Sequence, residues 1–558
     1  MIHRALLVGA ALAVLAGCAS PPSTEARLVA EQIRTRIEAA GVVAELRAAG
    51  EPVYASSVLP KFYERRLYRP AWSDAGGPTR LADDLVAALQ RADLEGLRSE
   101  DYHLAGIKAV LAAVRADDKH GPALAPDRWA ELDLLLTDAF LVYGAHLAAG
   151  RVDPETLSPE WVSNRRTADV VPVLEEGLAS GDIAGAIESL VPTQNGYRRL
   201  REALAKDREV AAAGGWPAIP DGVTLQLGDS GEPVAALRRR LRLEDDLGGA
   251  EDPELPVGAD LFDQTVERAV KMFQERHGLE PDGVVSATTR AELNVPVERR
   301  VEQLELNLER WRWLPKDLGR RHIIVNIAAY ELEVVEGDSV VLSMRVVVGR
   351  PFDRTPVLSD TMRYLVLNPY WHVPRDLAVG ELVPKVRRNR SYLAQNGMRI
   401  FPAGSDAREV DPATVDWSAI PPNRFPYEMR QDPGPRNALG RIKFMFLNKY
   451  HVYLHDTPAG SLFAEAQRDF SHGCIRLQRP IDLAVYLLQD PLWDRDAVLL
   501  ALDDAVDRSI PLPQPIPIHL LYWTAWAAAD GTIQFRRDIH GRDAPLLKAL
   551  RAPPPSTN

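Results

Sequence analysis

The sequence predicts a multidomain α+β protein: a helical N-terminal scaffold, a small three-helix module, and a mainly-β C-terminal domain with a long lid insertion. Three observations lead there. At 558 residues the chain exceeds what one ordinary core organises. From Thr24 to Ala213 apolar residues recur at three- and four-residue spacing, the helical period. At His322 the pattern changes to short runs of β-branched residues separated by turn chemistry.

Residues 1–17 read as a targeting segment outside the fold. Arg4 supplies the positive end, Ala5 to Leu15 has the length of a signal h-region, and small residues precede Cys18. The stretch is too short for an ordinary membrane span. Leu15-Ala16-Gly17-Cys18 resembles a bacterial lipoprotein box, which implies cleavage before Cys18 and a lipid on its sulfur. A plain signal peptide or short membrane anchor with a chance cysteine is the alternative. Either reading puts the mature chain outside the cytoplasm, and Ala19 resembles the outer-membrane sorting pattern. The expected location is therefore periplasmic, anchored to the outer membrane. Composition is that of a globular protein, 46% apolar and 26% charged, and a net charge of -12 gives no basic footprint for nucleic acid.

The scaffold, residues 24–213, contains amphipathic stretches such as Arg80–Ala92 and Arg128–Ala149, punctuated by Gly76-Gly77-Pro78, Gly121-Pro122 and Asp153-Pro154. Tyr63, Tyr68, Trp72, Phe140 and Tyr143 read as core, and no catalytic constellation occurs here. After a linker at Gly214–Pro220, residues 223–294 form a compact unit. Its helices are expected at Ala235–Leu243, at Gln264–His277 closed by Gly278, and from about Ser286. A helical connector, Val297–Trp313, follows.

The β domain spans residues 320–505, with strands at 322–327, 331–335, 340–348, 363–367, 442–447 and 451–455 and a helix at Asp482–Gln489. The polar, Pro- and Arg-rich stretch 374–435 is expected to be an irregular lid or binding element. Residues 506–558 read as a C-terminal extension, with an aromatic cluster at Tyr522–Trp526.

Only two cysteines exist, and if Cys18 is lipidated no intramolecular disulfide can form. A lone thiol in an oxidising compartment is a liability unless it has a task. Cys474 sits in Ser471-His472-Gly473-Cys474-Ile475-Arg476. A neighbouring base or cation can make such a thiol a nucleophile, Gly473 permits close backbone approach, and turn amides can face an oxyanion. The base lies in His451-Val452-Tyr453-Leu454-His455-Asp456-Thr457-Pro458. As a strand this segment puts His451, Tyr453 and His455 on one face, and Pro458 ends it just beyond His455. A zinc site on His451, His455, His472 and Cys474 is the bland competitor. In a strand, His451 and His455 would lie roughly 13 Å apart, too far for one ion.

The unit at 223–294, with Leu227-Gly228-Asp229-Ser230-Gly231 and Leu279-Glu280-Pro281-Asp282-Gly283, closely resembles the three-helix peptidoglycan-binding domain. A His before a Thr-Pro turn, with S-H-G-C-I-R 19 residues later, resembles the catalytic motif of the L,D-transpeptidases of YkuD type. Asn368–Pro374, Gln431–Gly440 and the domain order are similar to the large Gram-negative branch.

The resemblance implies Cys474 as nucleophile, His455 as general base and acid, and the Asp456 carbonyl as the group orienting the imidazole. It implies an oxyanion hole from the Gly473 and Cys474 amides with His472 nearby, Arg476 near the turn or a substrate carboxylate, and Trp371 and Tyr453 in the substrate groove. It implies no cofactor and no metal. The implied substrate is a peptidoglycan tetrapeptide stem that loses its terminal D-Ala as a thioester forms, with residues 223–294 on glycan strands. A neighbouring stem amine would complete a 3→3 cross-link. A lipoprotein lysine, a free D-amino acid or water are other acceptors, and a non-catalytic peptidoglycan-binding scaffold is the rival from another class.

Overall fold

The computed structural model describes residues 23–554 apart from 41–44, 75–76, 119–125, 163–168, 223, 245, 247–259, 405–407 and 422–424. The expected targeting segment and Cys18 lie outside the described residues, as does Val223. The architecture is multidomain α+β, with the helical region first and the large sheet last.

The scaffold is built around helix Pro126–Ala149, whose residues are apolar on nearly every side because other elements surround it. It is apolar and long enough to cross a membrane, yet 89% of its most apolar stretch is buried inside the protein, as in a core helix. Tyr63, Trp72, Phe140 and Tyr143 are buried and Tyr68 packs half-buried on the same core.

Three polar side chains fasten the preceding loops to that helix. Asp133, 1% exposed, accepts hydrogen bonds from the Ala71 amide at 2.9 Å, the Trp72 amide at 2.9 Å and the Tyr63 hydroxyl at 2.7 Å. Thr137 receives the Trp72 indole N–H at 2.9 Å. Asp138 accepts from the Tyr54 and Ala55 amides at 3.0 and 2.6 Å. Burial raises the Asp133 carboxyl above its usual range, and its three donors oppose that shift. Asp133→Ala would strand two backbone amides in the core. The expected cost is about 3 kcal/mol or more, read as a lower thermal midpoint of the scaffold, with Asp133→Asn milder.

The three-helix unit matches its expected pattern closely, with helices Glu232–Leu243, Gln264–Arg276 and Ala287–Leu293. Asp263 caps the second through the Thr265 and Val266 amides at 2.9 and 3.0 Å, and Ser286 caps the third. Gly278 ends the second at φ +66°, a left-handed position that suits glycine. Phe262, Phe273, Leu237 and Leu293 fill its separate core.

The connector helix Val297–Arg312 ties the parts together. Trp311 stacks on Trp523 with ring centroids 4.5 Å apart. Beyond it lies a nine-stranded sheet in the order 469–471, 339–349, 475–477, 454–455, 442–446, 358–367, 508–521, 321–326, 331–336, and the last strand also pairs with 339–349, closing the sheet on itself.

Three expectations are corrected. The strand Arg508–Leu521 is central, between Leu358–Leu367 and Arg321–Asn326, so the β domain does not end at 505 and the extension does not begin at 506. Pro511, Pro513, Pro515 and Pro517 disguise it, because proline argues against a central strand. A register shift between Pro511 and Ile516 accommodates them, while Leu512, Ile516, Ile518 and Leu520 point into the core.

Next, the stretch 374–435 is not irregular. It carries short helices at Val383–Arg388 and Tyr392–Gln395, a π turn at Ala378–Leu382 and a three-stranded sheet with Trp371–His372, around its own core of Leu382, Val386, Ile400 and Trp417. Its apolar residues are dispersed among prolines and arginines, so no period marks them in the sequence.

Finally, the strand expected at 451–455 is only Leu454–His455. His451 has φ +54°, a turn conformation that a continuous strand does not allow. His451 therefore shares no strand face with His455, and the distance argument against zinc loses its premise. Among the described residues, no group of three or more His, Cys, Asp or Glu is arranged to hold a metal.

Candidate active site

Two short parallel strands form the floor of the site, Leu454–His455 beside Ile475–Leu477, with Leu454 opposite Ile475 and His455 opposite Arg476. Strand side chains alternate between faces. Leu454 and Ile475 enter the core, each 0% exposed. Tyr453, His455, Cys474 and Arg476 therefore share the other face, and all four line one cavity of about 580 Å³. The lid closes its opposite wall with Trp371, Leu377, Glu381 and Tyr392.

His455 is buried, and its Nδ1 donates to the Asp456 carbonyl at 2.5 Å. A carbonyl can only accept, so Nδ1 carries the proton and Nε2 is left as the basic nitrogen. Burial, helped by the Arg476 charge, drives the imidazole down to about 3, while the Asp456 and Leu439 carbonyls oppose the shift. The Asp456 carboxylate has a different task, accepting the Arg441 and Thr457 amides at 2.8 and 2.7 Å and so holding the strand exit.

Cys474 is half-buried, with Sγ 3.9 Å from the His451 carbonyl oxygen. Burial raises its thiol, while bonds from Tyr453 and the charges of Lys443 and Arg476 pull it down. Both shifts, the thiol raised and the imidazole lowered, favour the uncharged forms over an ion pair. Alkylation of Cys474 by iodoacetamide should therefore climb with pH through and beyond the ordinary thiol range of about 8.5. A plateau already reached near pH 5–6, the mark of a stable thiolate–imidazolium pair, would contradict the pairing.

Residues 320–497 match the family model described as the L,D-transpeptidase catalytic domain, YkuD. The chain carries an L,D-transpeptidase catalytic domain. Residues 230–293 match a model described as "Putative peptidoglycan binding domain", and 57–204 one described as a scaffold domain. A curated relative from Haemophilus influenzae, named "Putative L,D-transpeptidase", is 34% identical over 242 residues, covering 43% of this chain. The chain spans about half of that relative, 48% of its length. Among solved structures, an L,D-transpeptidase fragment from Xylanimonas cellulosilytica is 16% identical, with 54% of this chain and 98% of that one covered and a TM-score of 0.15. A fused Zn-dependent amidase/peptidase/peptidoglycan-binding protein from Clostridium acetobutylicum is 14% identical, with 54% and 100% covered and a TM-score of 0.14. At those scores neither likeness carries an argument.

The L,D-transpeptidase domain brings Cys474, His455, Arg476, Tyr453, Trp371 and His472 to one cavity, but two expected oxyanion contributors point elsewhere. The Gly473 amide donates to Ser471 Oγ at 3.1 Å, and the Gly473 carbonyl accepts from Thr355 Oγ1 at 2.9 Å. With φ at +106°, the Gly473 turn folds its N–H back into the loop. His472 directs Nε2 to Glu381 Oε1 of the lid at 2.6 Å. Arg476 retains a buried Nε with no hydrogen-bond partner, a donor consistent with an anionic visitor.

Two functional candidates escaped the sequence. Lys443 pairs in register with His455 and lies 3.8 Å from the Tyr453 ring centroid, a cation beside the thiol's neighbour. Alternation within Ile442–Phe446 carries that much of a signal. Glu381 had none, because only the folded lid carries it to the cavity.

Proposed function

We propose that this chain is a peptidoglycan L,D-transpeptidase that works through a Cys474 thioester. The observation that carries the reading is a tautomer-fixed imidazole on one of two adjacent parallel strands and a thiol just before the other, both lining one lidded cavity. The Cys474 proton passes to His455 Nε2 as sulfur attacks the carbonyl that links the L-centre of meso-diaminopimelate to terminal D-Ala. The tetrahedral oxyanion collapses, the C–N bond breaks, and His455 returns the proton to the departing amine. An acceptor amine then attacks the thioester, forming an amide and releasing the thiol. With a neighbouring stem as acceptor the product is a 3→3 cross-link.

The depressed His455 basicity fits this proton's brief stay, since a strongly basic imidazole would hold it back from D-Ala. Arg476, with its unpaired Nε, would receive a stem carboxylate, and Trp371 and Tyr453 would flank the stem. Residues 223–294 would hold glycan strands near the cavity, and a lipid on Cys18 would anchor the chain to the outer membrane from the periplasmic side. Incubation with tetrapeptide-containing sacculi, followed by mass spectrometry of the muropeptides, should give released D-Ala and 3→3 linked dimers. Trimmed stems without dimers would mean that water is the acceptor.

A further inference from the structure

The reaction needs a second proton acceptor that His455 does not provide. A stem amine is an ammonium ion at neutral pH, with an ordinary pKa of about 10.4, and cannot attack until it loses a proton. His455 relays one proton from the nitrogen to the departing sulfur, so the ammonium's other proton needs a separate acceptor.

The cavity wall is electrostatically one-sided. Among the described residues lining it, Lys385, Arg436 and Arg476 are cationic and Glu381 is the one carboxylate. Cations suit the carboxylates of a donor stem, and the anion suits an approaching ammonium group. Glu381 occupies the π turn Ala378–Leu382, a local irregularity often found at functional positions. Its Oε1 meets His472 Nε2 at 2.6 Å. Its other charged neighbours stay farther off, Arg350 at 3.7 Å and Lys385 at 3.9 Å, and Arg350 is bound more closely to Asp353 at 2.5 Å. Glu381 remains 38% exposed and His472 28%, so the pair is open to a ligand. Glu381 and His472 line the same cavity as Cys474, and His472 is two residues from it in the chain.

We propose that Glu381 and His472 form the acceptor-amine site of the enzyme, binding a primary ammonium group and taking the proton it must lose before attack. This rests on the thioester reading above. The ammonium gives one proton to the Glu381–His472 pair, and the free amine nitrogen bonds to the thioester carbonyl. The C–S bond breaks, the nitrogen's second proton goes by way of His455 to the Cys474 thiolate, and the pair then returns its own proton to water.

The test separates the two half-reactions. Acyl-enzyme is prepared with a tetrapeptide donor, in the unsubstituted full chain and in Glu381→Gln and Glu381→Ala. Its discharge is followed with Nα-acetyl-lysine, a cation at neutral pH, and with hydroxylamine, which is uncharged there. Discharge by the lysine amine should slow by roughly tenfold or more in both variants, hydroxylamine should lose far less, and the deficit should shrink as pH approaches the amine pKa. Equal losses with both nucleophiles, or no loss with either, would overturn the acceptor site while leaving the transpeptidase reading intact. If the unsubstituted chain formed no acyl-enzyme, both readings would fall together. An unchanged thermal midpoint in Glu381→Gln, whose amide can still bond His472, keeps a folding defect from imitating the result.

Discussion

Cys474→Ala should abolish D-Ala release and cross-linking, a loss of roughly 10⁴-fold or more, because the proposed thioester forms on its sulfur. The fold should survive. Cys474 is half-buried at a cavity wall, and the turn around it is held by Ser471, Thr355 and Gly473, not by sulfur. His455→Ala should fall by about 10²–10⁴-fold, the range of a general acid–base group. The double variant should be little worse than Cys474→Ala, since both residues serve one proton and one bond. A Cys474→Ala protein that still released D-Ala, measured by mass spectrometry on purified tetrapeptide muropeptides, would end the mechanism.

Glu309→Ala should be the most destabilising single change in the connector helix. Glu309 and Arg312 are both fully buried and paired at 3.0 Å. Glu309 also accepts the Val152 amide at 2.7 Å, and Arg312 reaches the Tyr197 hydroxyl at 2.9 Å and the Glu95 carbonyl. Burial alone would weaken the guanidinium's charge, but Tyr197, Glu309 and Glu95 outweigh it and raise Arg312 above its ordinary value. Removing one partner leaves a charge in a low-dielectric interior, an expected cost of about 3–5 kcal/mol. Replacing both, Glu309→Leu with Arg312→Met, should cost less than the sum of the single changes. Chemical denaturation of the three variants, followed at the scaffold transition, measures this directly. The pair joins the scaffold to the helix that enters the L,D-transpeptidase domain, so its loss should loosen both.

Elements whose side chains keep a simple period were legible in the sequence. The three-helix unit was outlined by its caps and by Gly278, and the strands at 321–326, 331–336 and 339–349 by β-branched runs. Local signals failed where tertiary partners overrode them. Proline-rich Arg508–Leu521 is a strand because neighbours on both sides supply its pairing and a register shift absorbs its prolines. The lid folds because dispersed apolar residues, among them Trp417 and Val386, meet in three dimensions.

The site divides in the same way. Cys474 and His455 could be named from their neighbours, because a thiol beside glycine and a histidine before a Thr-Pro turn are local chemical signatures. The sequence by itself singled out Cys474 and His455 as the candidate reacting groups and the unit at 230–293 as similar to a peptidoglycan-binding domain. Only the tertiary structure decided that burial pushes the thiol up and the imidazole down, that the Gly473 amide is already bonded, and that Glu381 meets His472 across 91 residues of chain. Protonation and hydrogen bonding depend on burial and on distant charges, and these exist only once the lid, the sheet and the connector helix have packed together.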